Sequence, residues 1–314
     1  MTDPLPLDPR VRCGLVLGGL SRDAALHQAR EAEALGFDSL WVGDHIAFHV
    51  PLLESLSLLS FLAGATERVL LGTGVYLLPL RHPTLAAKSA ATADLLSGGR
   101  LIFGVGVGGE YPPEFEASGV PVRERGARMD EAIPLLRRLW TEERVAHEGK
   151  HYRFGPISPA PKPVQPGGPP IWVGGRSPAA MRRAGVLGDG YVSTMASPER
   201  YRANLELVAK HAHDRGRKIA RFGTGALLFT VLDDSYERAL ARAGDMLSRV
   251  YNRPFHDAAR KYCLLGRPKD VLEQMRTFAG AGVRHFLLAS LIAPEGFASQ
   301  VAKEILPHVP ALMG

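Results

Sequence analysis

What constrains this chain most is a rhythm. Short β-rich runs alternate with helical stretches from Val11 to Leu306. Val11–Leu17 reads as the first strand. Ser21 caps the next helix, Asp23 charges its first turn, and Ala24–Leu35 runs until Gly36 stops it. Ser39–Val42, Val69–Gly74 and Leu101–Val107 follow as strands, separated by helices over Leu52–Ala65 and Thr84–Leu96. A helix over Arg123–Trp140 comes next, with Pro134 as a local irregularity. The pattern resumes with strand Ile171–Val173, helix Pro178–Leu187, strand Gly190–Thr194 and helix Pro198–Arg215. Strand Phe222–Leu232, helix Asp233–Arg249, helix Pro268–Ala279, strand Val283–Leu288 and a terminal helix near Gly296–Leu306 complete it. Residues 251–267 carry no clear period.

Eight strands separated by helices point to an α/β chain folded as a (β/α)8 TIM barrel. A doubly wound open sheet is the alternative. Against it, the first βα turn, Leu17-Gly18-Gly19-Leu20-Ser21, lacks the G-x-G-x-x-G spacing, and no acidic residue closes a dinucleotide fingerprint. The expectation is a single domain over 1–314, interrupted before strand 5. There, from about 141 to 170, Pro, Gly, Tyr and His replace the helical period. Val145–Phe154 reads as a small hairpin turning at Glu148-Gly149-Lys150.

Composition removes several classes. A chain that is 46% hydrophobic and 22% charged can pack a core, which excludes disorder. The net charge of +6 is spread along the chain; it favours small anionic ligands weakly and argues against nucleic acid. No apolar run reaches membrane-spanning length, and Met1–Arg10 has no signal-peptide core. Cys13 and Cys263 cannot form a disulfide scaffold or a zinc site and read as reduced thiols in a cytoplasmic protein.

In a barrel the chemistry gathers at the C-terminal strand ends. Strand 2 ends in Asp44-His45, an acid/base candidate, although a loop histidine bonded only to backbone would look the same. His45 and His49 share a metal-like spacing, but Pro51 opposes a helix and no third ligand follows, so no metal is expected. Strand 3 ends in Thr73, Gly74, Val75 and Tyr76, and strand 4 in Gly106, Gly108, Gly109 and Glu110. Both are small-residue walls against which a flat ring could lie, and Glu110 could hydrogen-bond its edge. Gly174, Gly175, Arg176 and Ser177 precede a helix and form the phosphate candidate; an ordinary capped turn is the plainer alternative. Arg125 and Arg128 read as helix-surface charges or as residues lining the mouth.

Taken together, these segments resemble the bacterial luciferase-like flavin-dependent oxidoreductases, and within them the deazaflavin (coenzyme F420) branch. The resemblance is carried by Gly36-Phe37-Asp38-Ser39-Leu40-Trp41-Val42-Gly43-Asp44-His45, Arg81-His82-Pro83 and Leu96-Ser97-Gly98-Gly99-Arg100. Gly104-Val105-Gly106-Val107-Gly108, Phe115 to Pro121, Glu124-Arg125-Gly126, Pro161 to Gln165, Pro170 to Gly175, Gly188-Asp189-Gly190 and Gly266-Arg267-Pro268 extend it. The resemblance implies a (β/α)8 barrel with a deazaflavin or flavin across its mouth. It implies that Asp44 and His45 sit beside the ring system, with His45 handling a proton. A non-prolyl cis bond at Gly74-Val75 would back the ring, Gly106 to Gly109 would line its far edge, and Gly174 to Ser177 would take the phosphate. Hydride transfer between coenzyme F420 and a small organic substrate is the implied activity. Gly43 stands where many deazaflavin relatives have Ser, and Gly109-Glu110 where many have an aromatic residue. These departures keep an FMN-dependent monooxygenase, served by a separate flavin reductase, as the alternative. The resemblance also implies a homodimer.

Overall fold

The computed structural model describes residues 5–18, 21–290 and 296–313. Gly19 and Leu20 of the first turn lie outside them. Eight strands form one parallel sheet: β1 (Arg12–Val16), β2 (Ser39–Val42), β3 (Leu70–Thr73), β4 (Leu101–Gly106), β5 (Ile171–Gly174), β6 (Gly190–Thr194), β7 (Gly223–Leu232) and β8 (His285–Ser290). Each pairs with the next. β8 then pairs with β1, with Arg12 opposite His285, so the sheet closes and the open-sheet alternative falls. Between the strands run α1 (Arg22–Ala34), α2 (Ser55–Ala63), α3 (Pro83–Leu96), α4 (Pro112–Ala117), α5 (Arg125–Thr141), α6 (Pro178–Leu187), α7 (Pro198–Asp214), α8 (Tyr236–Tyr251), α9 (His256–Tyr262), α10 (Pro268–Gly280) and α11 (Phe297–Glu304).

The lumen explains the glycines in the strands. Trp41 and Trp172 meet inside the barrel with ring centroids 5.6 Å apart, and the His285 ring stands edge-on to both. A Cβ on Gly72 would lie 2.4 Å from Trp41; one on Gly190 or Gly223 would lie 2.5 or 2.3 Å from Trp172. Glycine weakens a strand, but here it makes room for an indole. Trp41 Nε1 donates to Ser39 Oγ at 2.8 Å. The Ser39 hydroxyl also hydrogen-bonds His285 Nε2, 2.6 Å away. Burial and nearby Arg12 push the His285 pKa down to about 3, so the imidazole is neutral. The outer core lies between strands and helices. α3 packs there with alanines, Ala86, Ala87, Ala90, Ala91 and Ala93 all being buried, and Cys13 and Cys263 are buried free thiols.

The insertion is a two-stranded antiparallel hairpin, Val145–Glu148 with Arg153–Ile157. Its turn is wider than the expected Glu148-Gly149-Lys150. Glu131 of α5 pins it, accepting from His147 Nε2 and from the N–H groups of His151 and Tyr152, each at 3.0 Å. Buried Asp94 of α3 fixes the following segment through the N–H groups of Val164 and Gln165. The unassigned stretch 251–267 resolves into the end of α8, α9, and a short strand Leu264–Gly266 paired to the end of β7.

Candidate active site

The site starts at the end of β2. Asp44 is 3% exposed, and its carboxylate is committed on every side. Arg81 grips both oxygens, Leu77 N–H donates to Oδ2 at 2.8 Å, and Ser55 Oγ donates to Oδ1 at 3.1 Å. Asp44 therefore ties β2 to the chain after β3 and to α2. Arg81 also lies over the Tyr76 ring, 4.3 Å from its centroid.

His45 points the other way. Its Nδ1 lies 3.1 Å from both oxygens of Glu114, a fully buried glutamate at the start of α4. A carboxylate only accepts, so Nδ1 carries the proton and Nε2 is left for a partner. Glu114 also accepts from Ile46 N–H at 3.1 Å, which fixes the loop bearing His45. The imidazole stacks on Phe48, 4.0 Å between centroids at 11°. Further rings surround it. Phe48 meets Tyr111 and Tyr251 edge-on, His49 meets Tyr111, and Tyr251 stacks on Phe255. Burial pushes the Tyr251 phenol up; neighbouring Glu110 pushes the same way and Arg176 opposes it. Glu110 and Arg176, expected from two different strand ends, thus both act electrostatically on one phenol.

After β3 the chain bulges, with the cis bond at Gly74-Val75 that the resemblance implies. The strand alternation breaks at it. Val75 turns into the barrel, filling a hollow of glycines: a Cβ on Gly106 or Gly174 would lie 2.4 or 2.8 Å from its methyls. Tyr76, by contrast, faces the helices. It is 3% exposed and packs on Phe103, 5.1 Å away, so it does not line the mouth as the sequence suggests. Burial pushes its phenol pKa up. Thr73 is also turned away; its hydroxyl donates to Gly104 O at 2.6 Å. Leu77 with Tyr76 pairs to β4.

The loop after β4 needs glycine at Gly108 and Gly109, whose φ angles are +61° and +116°. The Arg125 guanidinium rests on Gly109, and its buried Nε has no partner. After β5, Gly175 has φ +140° and Ser177 caps α6, accepting from Ala180 N–H at 3.3 Å. Arg176 and Ser177 are exposed there, beside the first-turn N–H groups of the helix. Arg128 pairs with Glu124 and stands over the Tyr152 ring of the hairpin.

The model of the luciferase-like monooxygenase family matches residues 7–305. The chain belongs to this family. Among its luciferase-like relatives, an F420-dependent glucose-6-phosphate dehydrogenase of Nakamurella multipartita is 30% identical over 315 residues, covering 90% of this chain and 91% of the relative. Among solved structures, monooxygenase RslO1 from Streptomyces bottropensis superposes with a TM-score of 0.82 at 27% identity, covering 95% of this chain and 99% of that one. An F420-dependent secondary alcohol dehydrogenase in complex with an F420-acetone adduct shares the fold with a TM-score of 0.85 at 23% identity, covering 96% and 99%.

Two features of this luciferase-like mouth escape the sequence. Glu114 reads as an ordinary acidic residue in the first turn of a helix after Pro112-Pro113. The aromatic cluster joins rings from three distant segments, 48–49, 111 and 251–255, the last from the stretch without a period.

Proposed function

We propose that this protein is an oxidoreductase that uses coenzyme F420 to move hydride to or from a small organic substrate. The observation that carries the reading is the His45–Glu114 pair: an imidazole fixed by a buried carboxylate, with no hydrogen bond to Nε2 among the described residues. The cofactor comes from the likeness to the F420-dependent relative over nine-tenths of the chain.

The residues fit such a cofactor. Gly106 and Gly174 lack the Cβ that would crowd Val75, leaving a flat wall. The loop Gly174 to Ser177 offers backbone N–H groups at the N-terminus of α6, with the Arg176 cation beside them, for a phosphate. The deazaflavin, when bound, supplies the hydride chemistry. In this reading His45 holds or releases the substrate proton through Nε2, and Glu114 steadies the imidazolium that results. Asp44 positions the loop rather than titrating, because Arg81 and Leu77 N–H already occupy its oxygens. Glu110 and Tyr251 border the substrate space. The chain works as one domain, in the cytoplasm, and as a homodimer. Exposed Leu85, Leu95 and Leu96 on α3 supply apolar surface for the pairing, which light scattering would check.

A second reading follows the 27% likeness to monooxygenase RslO1: an FMN-dependent monooxygenase fed by a separate reductase. Titrating the protein with F420 and with FMN, each followed by fluorescence, separates the two. Saturable F420 binding without comparable FMN binding is expected. The reverse result, together with reductase-dependent oxygen uptake, would replace the first reading by the second.

A further inference from the structure

The other end of the barrel holds a second cavity, of about 340 Å³, at the N-terminal ends of the strands. Its two halves differ. Leu70, Leu101, Ile102, Pro170 and the face of Trp172 make one side apolar. The other carries three guanidiniums, Arg12, Arg221 and Arg284, against the carboxylates of Asp8 and Asp189.

The charges are unevenly matched. Asp8 is shared, both Arg12 and Arg221 reaching its Oδ2. Asp189 is taken by Arg137 from outside the cavity, at 2.8 Å, and by Ile171 N–H at 2.9 Å. Arg284 is left over. Among the described residues it forms no ion pair; its Nη1 donates only to the carbonyls of Ala279 and Val283, at 2.8 and 3.0 Å. A partly buried guanidinium held only by carbonyls keeps its full charge and its remaining N–H donors for an anion. His285, also in the wall, is neutral and hydrogen-bonded to Ser39, so it does not compete for an anion.

We propose that this cavity binds a small organic carboxylate, its anionic end on Arg284 and its apolar body against Trp172. A guanidinium matches a carboxylate in two parallel hydrogen bonds, and Arg12 and Arg221 add positive potential on the same side. The volume suits a body about as large as one ring. The site is separate from the mouth. Trp172, Trp41 and His285 stand between them as three rings in mutual contact. The ligand therefore does not meet the cofactor; it acts as a stabiliser or effector of the barrel.

The test is calorimetric titration of the full chain with phenylacetate, with 2-phenylethanol (the same body without charge) and with inorganic phosphate (the charge without the body). Expected is saturable phenylacetate binding, at least tenfold weaker 2-phenylethanol and phosphate binding, and no change when F420 or FMN is present. Arg284→Gln should weaken phenylacetate at least tenfold. Arg221→Gln, on a more exposed arginine, should weaken it several-fold in a protein that melts as the wild type does. Absence of saturation, affinity unchanged in both variants, phosphate binding in preference to phenylacetate, or competition with the cofactor would each overturn the proposal.

Discussion

The two ends of the barrel handle buried charge in opposite ways. At the mouth the two buried carboxylates each have a dedicated partner: Asp44 holds Arg81, and Glu114 holds His45. At the floor one aspartate serves two arginines and a third arginine goes without. Paired charges in a low-dielectric setting fix geometry, because each removes the freedom of the other. An unmatched cation fixes nothing by itself and leaves a potential for a ligand to fill. The mouth is thus built for precise placement of one imidazole, and the floor for capture.

The contrast can be broken most strongly at His45. His45→Ala should lower turnover about 10² to 10⁴-fold while the dissociation constant for the cofactor stays within a few-fold; unchanged turnover would remove the proton-handling role. Asp44→Ala should act on folding instead. It leaves Arg81 largely buried with only Glu54, 3.9 Å away, as a counter-charge, for a loss of up to about 3–5 kcal/mol in urea unfolding. Replacing both partners with apolar residues, Asp44→Leu with Arg81→Met, should recover much of that loss. If Asp44→Ala melts normally, the pair does not organise the mouth.

The lumen supplies a pH test. The His285 pKa is held at about 3, below the ordinary value near 6.5, so the unfolded chain binds a proton that the folded chain refuses. Stability from this group is fully present above about pH 6.5 and falls as pH drops toward 3. The slope is about 1.4 kcal/mol per pH unit across that window. His285→Gln, which keeps a partner for Ser39, should flatten the slope between pH 6 and 4.5. An unchanged slope would assign the acid sensitivity to other groups. The smallest effect belongs to the surface. Arg138→Ala removes the exposed pair with Glu142 and should cost under about 1 kcal/mol. A larger loss would mean that exposed pairs also hold the fold, and the contrast between ends would weaken.

Much of this was legible in the sequence. Strand and helix order follow from period and caps, because Ser21 and Ser177 do mark helix starts. Asp44-His45 and the loop Gly174 to Ser177 follow strand ends as expected, and the cis bond at Gly74-Val75 lies where the resemblance implies it. What escaped depends on faces. Tyr76 follows the strand, so simple alternation cannot place it once the bulge flips the register. Glu114 is visible only through its burial, which no local pattern encodes. The floor cavity joins the starts of six strands with Asp8 of the N-terminal segment, a purely tertiary arrangement.

The two indoles in the lumen carry a last consequence, for how such a barrel can vary. Trp172 occupies the missing side chains of Gly190, Gly223 and Gly225, on two neighbouring strands, while Trp41 occupies that of Gly72. No one of these positions can drift alone: a methyl group gained on one strand demands a ring lost on another. The lumen therefore changes only through coordinated exchanges. The segments above it, where Glu110 and the end of α8 sit, are free of that bond.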